Sequence, residues 1–284
     1  MKILCFGSSG LVASELKQWL PELSPDSLVF LSHKDCDITS ETALSKAFNT
    51  HEPTIVINAA AYTAVDDAED NIHLANQVNG HALKQIAEHC DRINATLIHF
   101  STDYVFNGKK EGAYDEEDVV APINAYGESK LLGEAMIQKR LAKHYIIRIQ
   151  WVYGVHQPNF VDAIIKKAKT SDEVNIIFDQ VGSPTSAEVV AKAVVNLIHN
   201  MPAYGVYHFR TLNTTSWYEF ASYFLQRLKI KVPILPLASS EYKTKAKRPL
   251  NSKLNIAKWI YTDLYTPPNW KQAVDDYLVK KEYI

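Results

Sequence analysis

Tyr126 and Lys130 are the two residues of this sequence whose types and spacing best suit proton transfer. Residues four apart lie on one face of a helix, so both side chains can reach one cleft. A nearby ammonium favours the phenolate and is expected to lower the tyrosine pKa. Thr102, further upstream, can hydrogen-bond the same substrate oxygen. The three residues predict proton exchange with an alcohol or ketone oxygen while another group moves the hydride. An ordinary solvated helix face is the alternative for this spacing alone.

A glycine-containing turn follows the first apolar segment of the chain. Lys2–Phe6 is typical of a buried strand, and a helix is predicted over Ser14–Leu20. Between them, Gly7, Gly10 and Ala13 have the spacing Gly-x-x-Gly-x-x-Ala. Glycines between a strand and a helix let backbone N–H groups approach a pyrophosphate. The turn therefore predicts dinucleotide binding, with a plain tight turn as the alternative.

The end of the second predicted strand, Leu28–Leu31, indicates which dinucleotide would bind. Ser32, His33 and Lys34 follow it, where NAD-binding proteins commonly have an acidic residue for the adenosine ribose. A hydroxyl and a cation tolerate a 2′-phosphate, so we expect NADPH, with NADH as the alternative. Asp37 is expected near the adenine, unless this segment only begins the next helix.

Small residues follow the third predicted strand, Thr54–Asn58. Ala59, Ala60 and Ala61 let a ligand lie against the backbone at the carboxyl end of a strand. Close helix packing is the alternative reason for such a run. A long amphipathic helix is then predicted over Ile72–Cys90.

Alternating strands and helices predict an α/β fold with a Rossmann-like, doubly wound parallel sheet. Further strands are predicted at Thr96–Phe100 and Tyr145–Ile149. The candidate residues all fall at or just beyond the carboxyl ends of strands, where open parallel sheets bind ligands. We expect an NAD(P)-binding Rossmann domain over residues 1–150. Residues 151–284 should form mainly a smaller, C-terminal substrate-binding lobe, with some segments returning to the first domain.

The bulk properties are those of a soluble globular protein. The 284 residues are 46% hydrophobic and 22% charged, which suffices for a large core. The net charge of −2 gives no basic surface for nucleic acid or an anionic membrane. Three separated cysteines fit a reduced cytoplasmic chain, and no apolar run approaches the ~20 residues of a membrane span. We therefore expect a cytoplasmic protein without nucleic-acid or membrane partners.

Longer segments carry a resemblance to a known family. With the motifs above, the chain resembles the dTDP-4-dehydrorhamnose reductases, a branch of the extended short-chain dehydrogenases/reductases. The resemblance runs in family order through nearly the whole chain. The matching segments are Asn58–Glu69, Ser101–Phe106, Pro122–Lys130, Trp151–Gly154, Asp179–Thr185 and Arg248–Ser252.

This resemblance implies a reaction and a site. The expected reaction is NAD(P)H-dependent reduction of the C4 ketone of dTDP-4-dehydro-6-deoxy-L-mannose to dTDP-L-rhamnose. Tyr126 would protonate the C4 oxygen, Lys130 would hold the nicotinamide ribose, and Thr102 would orient the carbonyl. The expected cofactor-binding residues are Gly7, Ser9, Gly10, Leu11, Val12, Lys34, Asp37, Ile38, Ala59, Ala60, Thr63, Tyr126 and Lys130. The expected substrate-binding residues are Val65, Thr102, Asp103, Tyr104, Phe106 and Trp151.

The sequence also departs from the family pattern. Gln150 stands before Trp151 where the family usually has serine, so the sugar subsite is expected to differ. Some family members bind Mg²⁺ at a dimer contact through glutamates, and Glu15 and Glu188 occupy matching positions. Two carboxylates are few ligands for this ion, so we assign no metal residue and keep Mg²⁺ as an option. The chain is expected to be a monomer or a homodimer.

Two other functions stay open at this point. Because of Gln150, reduction of another nucleotide-linked 4-keto-deoxysugar is the nearest alternative reaction. A non-catalytic regulatory subunit, similar to the one that binds methionine adenosyltransferase, is the alternative from a different class. Replacement of the Thr-Tyr-Lys trio would favour the regulatory subunit, and here Thr102, Tyr126 and Lys130 are all present.

Overall fold

The computed structural model describes residues 1–20 and 27–284. Pro21, which directly follows the helix predicted over Ser14–Leu20 and is expected to end it, lies outside those residues. The strands, in chain order, are β1 (Ile3–Phe6), β2 (Leu28–Leu31), β3 (Ile55–Asn58), β4 (Thr96–Thr102), β5 (His144–Ile149), β6 (Val152–Tyr153), β7 (Val174–Ile177), β8 (Val181–Gly182), β9 (Thr185–Ser186), β10 (Gly205–His208), β11 (Thr215–Ser216) and β12 (Ile234–Leu237).

The helices are α1 (Leu11–Trp19), α2 (Glu41–His51), α3 (Val65–Ala68), α4 (Ile72–Asn76), α5 (Ala82–Arg92), α6 (Ala125–Arg140), α7 (Phe160–Thr170), α8 (Ala187–Asn200), α9 (Trp217–Arg227), α10 (Ala257–Tyr261) and α11 (Trp270–Lys280). A π-helical turn, Gln77–His81, joins α4 to α5, and a 3₁₀ turn, Asp103–Val105, follows β4. Within the described ranges, no helix is both long enough and apolar enough to cross a membrane.

The central sheet has six parallel strands in the order β2–β1–β3–β4–β5–β10. Both of its faces are covered, which is why β1 reads as a continuous apolar run. Ile3 and Cys5 pack in one core with α1 and α8, whereas Leu4 and Phe6 pack in a second core with α2, α5 and α6. The prediction of a Rossmann-like, doubly wound sheet is confirmed.

The strand order reverses direction between β1 and β3. The chain runs from β1 outward to β2 on one side, and from β3 outward to β4 on the other. The helices that follow β1 and β3 therefore leave on opposite sides, and a crevice opens at the carboxyl ends of these strands. The glycine turn after β1 and the alanines after β3 both lie at this crevice.

The C-terminal half builds a core of its own. Helices α7, α9 and α11 pack with β7, around fully buried rings such as Phe220 and Phe224. Two later elements join the first half, since β10 pairs with β5 and α8 packs against α1. The short pairs β12–β7, β11–β8 and β6–β9 connect the remaining segments.

The predicted helix over Ile72–Cys90 is interrupted by the π-helical turn. Within that turn the Asn79 side chain binds both backbone groups of Tyr62, at 2.8 and 2.9 Å, and the Ser129 hydroxyl at 2.9 Å. The extra residue in the turn re-aims one side chain into a tertiary contact, which periodicity alone does not show. Asn79 thereby ties the loop after β3 to helix α6.

Candidate active site

A cavity of about 590 Å³ lies at the carboxyl ends of the central strands. We call the part lined by Ser9, Gly10 and Leu11 the loop end. The part around Thr102 and Tyr126 is called the reaction end. The cavity brings together these residues predicted from the sequence: Ser9, Gly10, Leu11, Val12, Ala59, Thr63, Val65, Thr102, Asp103, Tyr104, Tyr126, Lys130 and Trp151.

A smaller cavity of about 230 Å³ adjoins the loop end. It shares Ser9, Gly10 and Ala59 with the main cavity. Four more residues of the predicted cofactor set line it: Gly7, Asp37, Ile38 and Ala60. The predicted cofactor residues thus follow one continuous groove, with the exception of Lys34.

The loop end is built mainly from backbone. Gly7 has φ of +80°, and a Cβ at this position would stand 2.4 Å from the Ala60 nitrogen. Only glycine allows β1 to turn there with the two chain segments in contact. Gly10 then precedes α1, whose N-terminus has no side-chain cap. Its free N–H groups and helix dipole fit the pyrophosphate of a dinucleotide, the group expected from the sequence.

The segment after β2 lies beside the smaller cavity. His33 lines this cavity, whereas Lys34 is exposed and lines neither cavity. Asp35 accepts hydrogen bonds from the backbone N–H and hydroxyl of Ser32, at 2.8 and 2.6 Å. These bonds lower the Asp35 pKa and hold the carboxylate against its own turn. Asp37 accepts from the Thr39 N–H and hydroxyl, at 2.9 and 2.8 Å.

Helix α6 carries Tyr126 and Lys130, and its N-terminus is fixed in three ways. Asn124 caps it by accepting from the Gly127 N–H at 2.7 Å, and donates to the Lys247 carbonyl at 2.7 Å. The Glu69 carboxylate accepts from the Ala125 N–H at 2.9 Å. A Cβ on Gly127 would stand 2.3 Å from the Tyr104 carbonyl oxygen. The glycine therefore lets α6 lie directly on the turn after β4, which brings Tyr126 beside Thr102.

The pKa of Tyr126 corrects one expectation. Burial and the Asp103 carboxylate raise it to about 12, against a smaller lowering effect of the Thr102 hydroxyl. The Lys130 ammonium is not among the groups that shift it. Lys130 Nζ instead donates to the Phe100 carbonyl at 2.6 Å. Tyr126 is therefore a protonated phenol at neutral pH, which suits a proton donor.

Lys130 is buried within a polar cluster beneath Tyr126. Its Nζ lies 3.3 Å from His99 Nε2, and His99 Nδ1 lies 3.1 Å from the Asn58 amide nitrogen. Burial lowers the Lys130 pKa to about 8, against the raising effect of the Glu134 carboxylate. Burial, and secondarily Lys130, hold the His99 pKa well below its ordinary value. His99 is thus neutral, and Lys130 is the positive group at this end.

A buried ion pair under the reaction end was not predicted. Glu134 accepts from Arg148 Nε at 3.0 Å and from Nη2 at 2.7 Å, and it also accepts from the Ser101 hydroxyl at 2.5 Å. Arg148 Nη1 reaches His208 Nε2 at 3.2 Å. The pair joins α6 to β4, β5 and β10. The signal in the sequence is that Glu134 continues the Tyr126–Lys130 face of the helix by one more turn.

Thr102 holds the residues around it as well as facing the cavity. Its hydroxyl oxygen accepts from the Tyr104 N–H at 3.1 Å and donates to Asp103 Oδ1 at 3.0 Å. Burial raises the Asp103 pKa to about 7. The carboxyl group of Asp103 therefore changes charge near neutral pH.

Two buried polar atoms of the reaction end have no hydrogen-bond partner among the described residues. They are Asp103 Oδ2 and Gln150 Nε2, on side chains that are 2% and 1% exposed. An unpaired buried polar group costs about 1–3 kcal/mol, and such atoms in a cleft often face a ligand. Gln150 was singled out in the sequence only as a departure from the family pattern.

Trp151 adopts an unusual backbone conformation at the reaction end. Its φ of +48° is in the left-handed region, which bulky residues rarely enter. The ring stacks on Trp217, with 3.7 Å between ring centroids and 12° between planes. Trp217 comes from the start of α9, and no local pattern connects it with Trp151. The cavity also contains Ala61, which the sequence analysis placed in a ligand-contacting run. Further cavity residues that it did not select are Phe100, Ser101, Ile149, Val152, Gln157 and Trp217.

Phe106 is the predicted substrate residue that lies away from the cavity. It is fully buried and stacks on Tyr114, with 4.2 Å between centroids and 15° between planes. The Arg148 guanidinium lies 5.2 Å from its ring centroid. The 3₁₀ turn after Thr102 points Phe106 inward, so it supports the ion pair beneath the site.

The Mg²⁺ option is not supported. Glu188 accepts from Lys192 at 2.9 Å and from Lys280 at 2.6 Å, and Glu15 Oε1 lies 3.5 Å from His156 Nε2. Ammonium groups already neutralise the carboxylate that would bind the ion. Within residues 1–20 and 27–284, no group of three or more His, Cys, Asp or Glu residues could hold a metal. The residues present do not fit the Mg²⁺ site of the family.

Comparison with known proteins agrees with this geometry. The chain is 36% identical to the dTDP-4-dehydrorhamnose reductase of Escherichia coli K12, with 96% of each chain covered. It is 35% identical to the spore coat polysaccharide biosynthesis protein SpsK of Bacillus subtilis, over 99% of this chain and 98% of the relative. The crystal structure of the Bacillus anthracis dTDP-4-dehydrorhamnose reductase in complex with NADP superposes with a TM-score of 0.93, at 32% identity, over 99% of this chain and 100% of that one.

A family model described as the RmlD substrate binding domain matches residues 1–283. This match spans the glycine turn, the reaction end and the C-terminal half together. The resemblance seen in the sequence is therefore confirmed, and the chain belongs to the RmlD substrate-binding-domain family.

Proposed function

We propose that this protein is an NADPH-dependent reductase that converts the C4 ketone of dTDP-4-dehydro-6-deoxy-L-mannose to the alcohol, giving dTDP-L-rhamnose. The observation that carries the proposal is one cavity that joins the glycine turn at its loop end to Tyr126, Thr102 and Lys130 at its reaction end. Family membership supports the same reaction, because the E. coli and B. anthracis relatives are named for it.

The cofactor, when bound, supplies the hydride that reaches the C4 carbon. The loop end suits its pyrophosphate, since the α1 N-terminus and the turn at Gly7 present backbone N–H groups and little side-chain bulk. We assign NADPH rather than NADH, with the relative's NADP complex in support. Lys34 is the residue expected to bind the 2′-phosphate, and the Asp35 carboxylate is hydrogen-bonded to Ser32 within its own turn.

The proton is the contribution of this chain to the reaction. As hydride arrives at C4, charge develops on the ketone oxygen, and Tyr126 donates its hydroxyl proton to that oxygen. A C–H bond and a new O–H bond form, while the C=O double bond becomes single and the Tyr126 O–H bond breaks. The hydride would come from NADPH, which would thereby be oxidised to NADP⁺. The Thr102 hydroxyl orients the carbonyl, and the Lys130 ammonium would hold the nicotinamide ribose, the role expected from the family resemblance.

The division of the chain is proposed on the same basis. Residues 1–150 would bind the cofactor, and residues 151–284 would supply mainly the substrate-binding lobe. In support, Trp151 and Trp217 bring the second half to the reaction end, while α8 and β10 return to the first half. Val65, Asp103 and Tyr104 would complete the sugar-nucleotide site from the first half.

The test is nicotinamide oxidation with enzymatically generated dTDP-4-dehydro-L-rhamnose, using NADPH and then NADH. Rapid oxidation with dTDP-L-rhamnose as the product is the expected result. Cofactor binding without turnover of this sugar would favour reduction of another nucleotide-linked 4-keto-deoxysugar, the second candidate, for which Gln150 is the supporting observation. Failure to bind either dinucleotide would reject the reductase altogether.

A further inference from the structure

Gln150 and Asp103 lie side by side at the reaction end because of strand register. Strands β4 and β5 are parallel neighbours, and Thr102 pairs with Ile149 at their carboxyl ends. Asp103 and Gln150 are each one residue beyond this pair, and both line the cavity. They therefore stand next to Thr102, the residue proposed to orient the reacting carbonyl.

One polar atom of each side chain is already bound. Ser252 Oγ donates to Gln150 Oε1 at 3.3 Å, so the amide oxygen has a protein partner and the amide NH₂ does not. Thr102 Oγ1 donates to Asp103 Oδ1 at 3.0 Å, and the Ser252 hydroxyl is also close enough to the Asp103 carboxyl group to lower its pKa. Asp103 Oδ2 nevertheless has no partner within hydrogen-bond distance among the described residues. The side chains of Gln150 and Asp103, both almost fully buried, thus offer one unpaired donor and one unpaired acceptor among the described residues.

A single hydroxyl group can satisfy both atoms, since it has one proton to donate and lone pairs to accept with. We propose that Gln150 is a specificity-determining residue that donates from Nε2 to the sugar hydroxyl on the carbon next to the reacting ketone, while that hydroxyl donates to Asp103. In a 4-keto-6-deoxyhexose this hydroxyl is on C3, because the other neighbour, C5, carries the methyl group and the ring oxygen. The inference rests on the proposed function and deepens it.

The consequence is selectivity for a C3 hydroxyl. A site whose buried polar atoms are paired by a substrate hydroxyl rejects the analogue that lacks it, because those atoms then stay unpaired. The wild-type enzyme should prefer the 3-hydroxy substrate over its 3-deoxy analogue by at least about 100-fold in kcat/KM. The selectivity should depend on the amide of Gln150.

The experiment compares both sugars, with NADPH, in wild type and Gln150→Met, which keeps the side-chain length and removes the amide. We expect kcat/KM for the 3-hydroxy sugar to fall about 50-fold, with little change for the 3-deoxy sugar, so that the selectivity collapses. A purely structural role would lower both values equally. Gln272→Met, on the exposed face of α11, is the matched control and should behave as wild type.

Two further variants keep the test decisive. Ser252→Ala removes the hydroxyl that binds Gln150 Oε1 but keeps the Gln150 amide. The preference for the 3-hydroxy sugar should therefore fall by only about fivefold. Gln150→Asn keeps an amide group and should disturb folding less than Gln150→Met. It should give a loss of selectivity between those of wild type and Gln150→Met. Selectivity that survives in Gln150→Met, or in Gln150→Asn should the methionine variant not fold, overturns the inference.

The outcome also separates this inference from the proposed function. A wild type that reduces the 3-hydroxy sugar but does not discriminate against the 3-deoxy analogue rejects the role of Gln150 alone. A wild type that binds NADPH and reduces neither sugar rejects both the proposed substrate and the subsite built on it.

Discussion

The two ends of the main cavity recognise their ligands by different means. The loop end presents backbone: a glycine with φ of +80° and a helix N-terminus without a side-chain cap. The reaction end presents individual side chains, each placed by hydrogen bonds from other strands and helices. A pyrophosphate is recognised through charge and N–H groups, for which backbone suffices. A sugar is recognised hydroxyl by hydroxyl, which requires single atoms at fixed positions.

This difference between the two ends predicts which substitutions should affect ligand binding and turnover. At the loop end only a few positions restrict residue type, because the chain path itself makes the contacts. At the reaction end the contacts are made by side chains, so substitutions there should change substrate recognition. Gln150 and Asp103 are the clearest example. Four changes test this contrast.

Tyr126→Phe should have the largest effect. It removes the proposed proton donor of the reaction end and leaves the loop end intact, so kcat should fall roughly 100-fold or more while NADPH binding stays within about twofold. Steady-state NADPH oxidation and NADPH titration measure the two quantities. Tyr261→Phe, at a tyrosine that is 87% exposed, is the control. Near wild-type turnover in the Tyr126 variant would remove Tyr126 from the mechanism.

Gly7→Ala should be next, and it acts at the loop end. The new Cβ would have to displace the Ala60 backbone, and the positive φ adds strain of about 1–3 kcal/mol. We expect the Kd for NADPH to rise at least about tenfold, measured by titration of the folded variant. Gly112→Ala is the matched control, because its nearest neighbour is Lys110 Cε at 4.0 Å. Equal affinities in the two variants would show that the turn at Gly7 does not shape the site.

The pH dependence of kcat/KM should be set by two residues of the reaction end, Asp103 and Lys130. Burial raises the Asp103 pKa to about 7, so the Asp103 carboxylate becomes protonated and stops accepting a hydrogen bond as pH falls through 7. We therefore expect kcat/KM for the sugar to drop about fivefold from pH 7 to pH 6. Burial lowers the Lys130 pKa to about 8, so a second decline is expected as pH rises through 8. The acidic decline should vanish in Asp103→Asn. If it persists there, another group is responsible for it.

Lys34→Glu should have the smallest effect. Lys34 is exposed, and exposed charges contribute little, so the kcat/KM ratio of NADPH to NADH should fall only about threefold. Lys46→Glu, on the exposed face of α2, is the control. Equal losses with both cofactors in the Lys34 variant would show that this residue does not contact the 2′-phosphate.

Much of the fold was predictable because its signals are local. The strands Leu28–Leu31 and Ile55–Asn58 occur as predicted or within one residue of the predicted limits, since apolar runs bounded by turns mark buried parallel strands. The turn at Gly7 and the helical spacing of Tyr126 and Lys130 also depend only on neighbours in sequence. Their meeting in one cavity follows from the rule that parallel sheets bind ligands at their carboxyl edge.

Other features depend on long-range contacts that no local pattern encodes. The stacking of Trp217 on Trp151 and the π-helical turn at Asn79 are set by packing between distant segments. The sequence analysis also expected Lys130 to lower the Tyr126 pKa, although the ammonium in fact binds the Phe100 carbonyl. A side chain's direction and burial decide its partners, and both are properties of the folded chain.

The sequence by itself thus determined the doubly wound sheet, the dinucleotide turn and the family, because each rests on periodicity or on a contiguous motif. Only the tertiary structure decided which buried polar atoms stay unpaired at the reaction end. Register between β4 and β5 places Asp103 beside Gln150, and Ser252, far along the chain, fixes the amide. Free donors and acceptors are what remain after all protein partners have been assigned, and that assignment requires the whole fold.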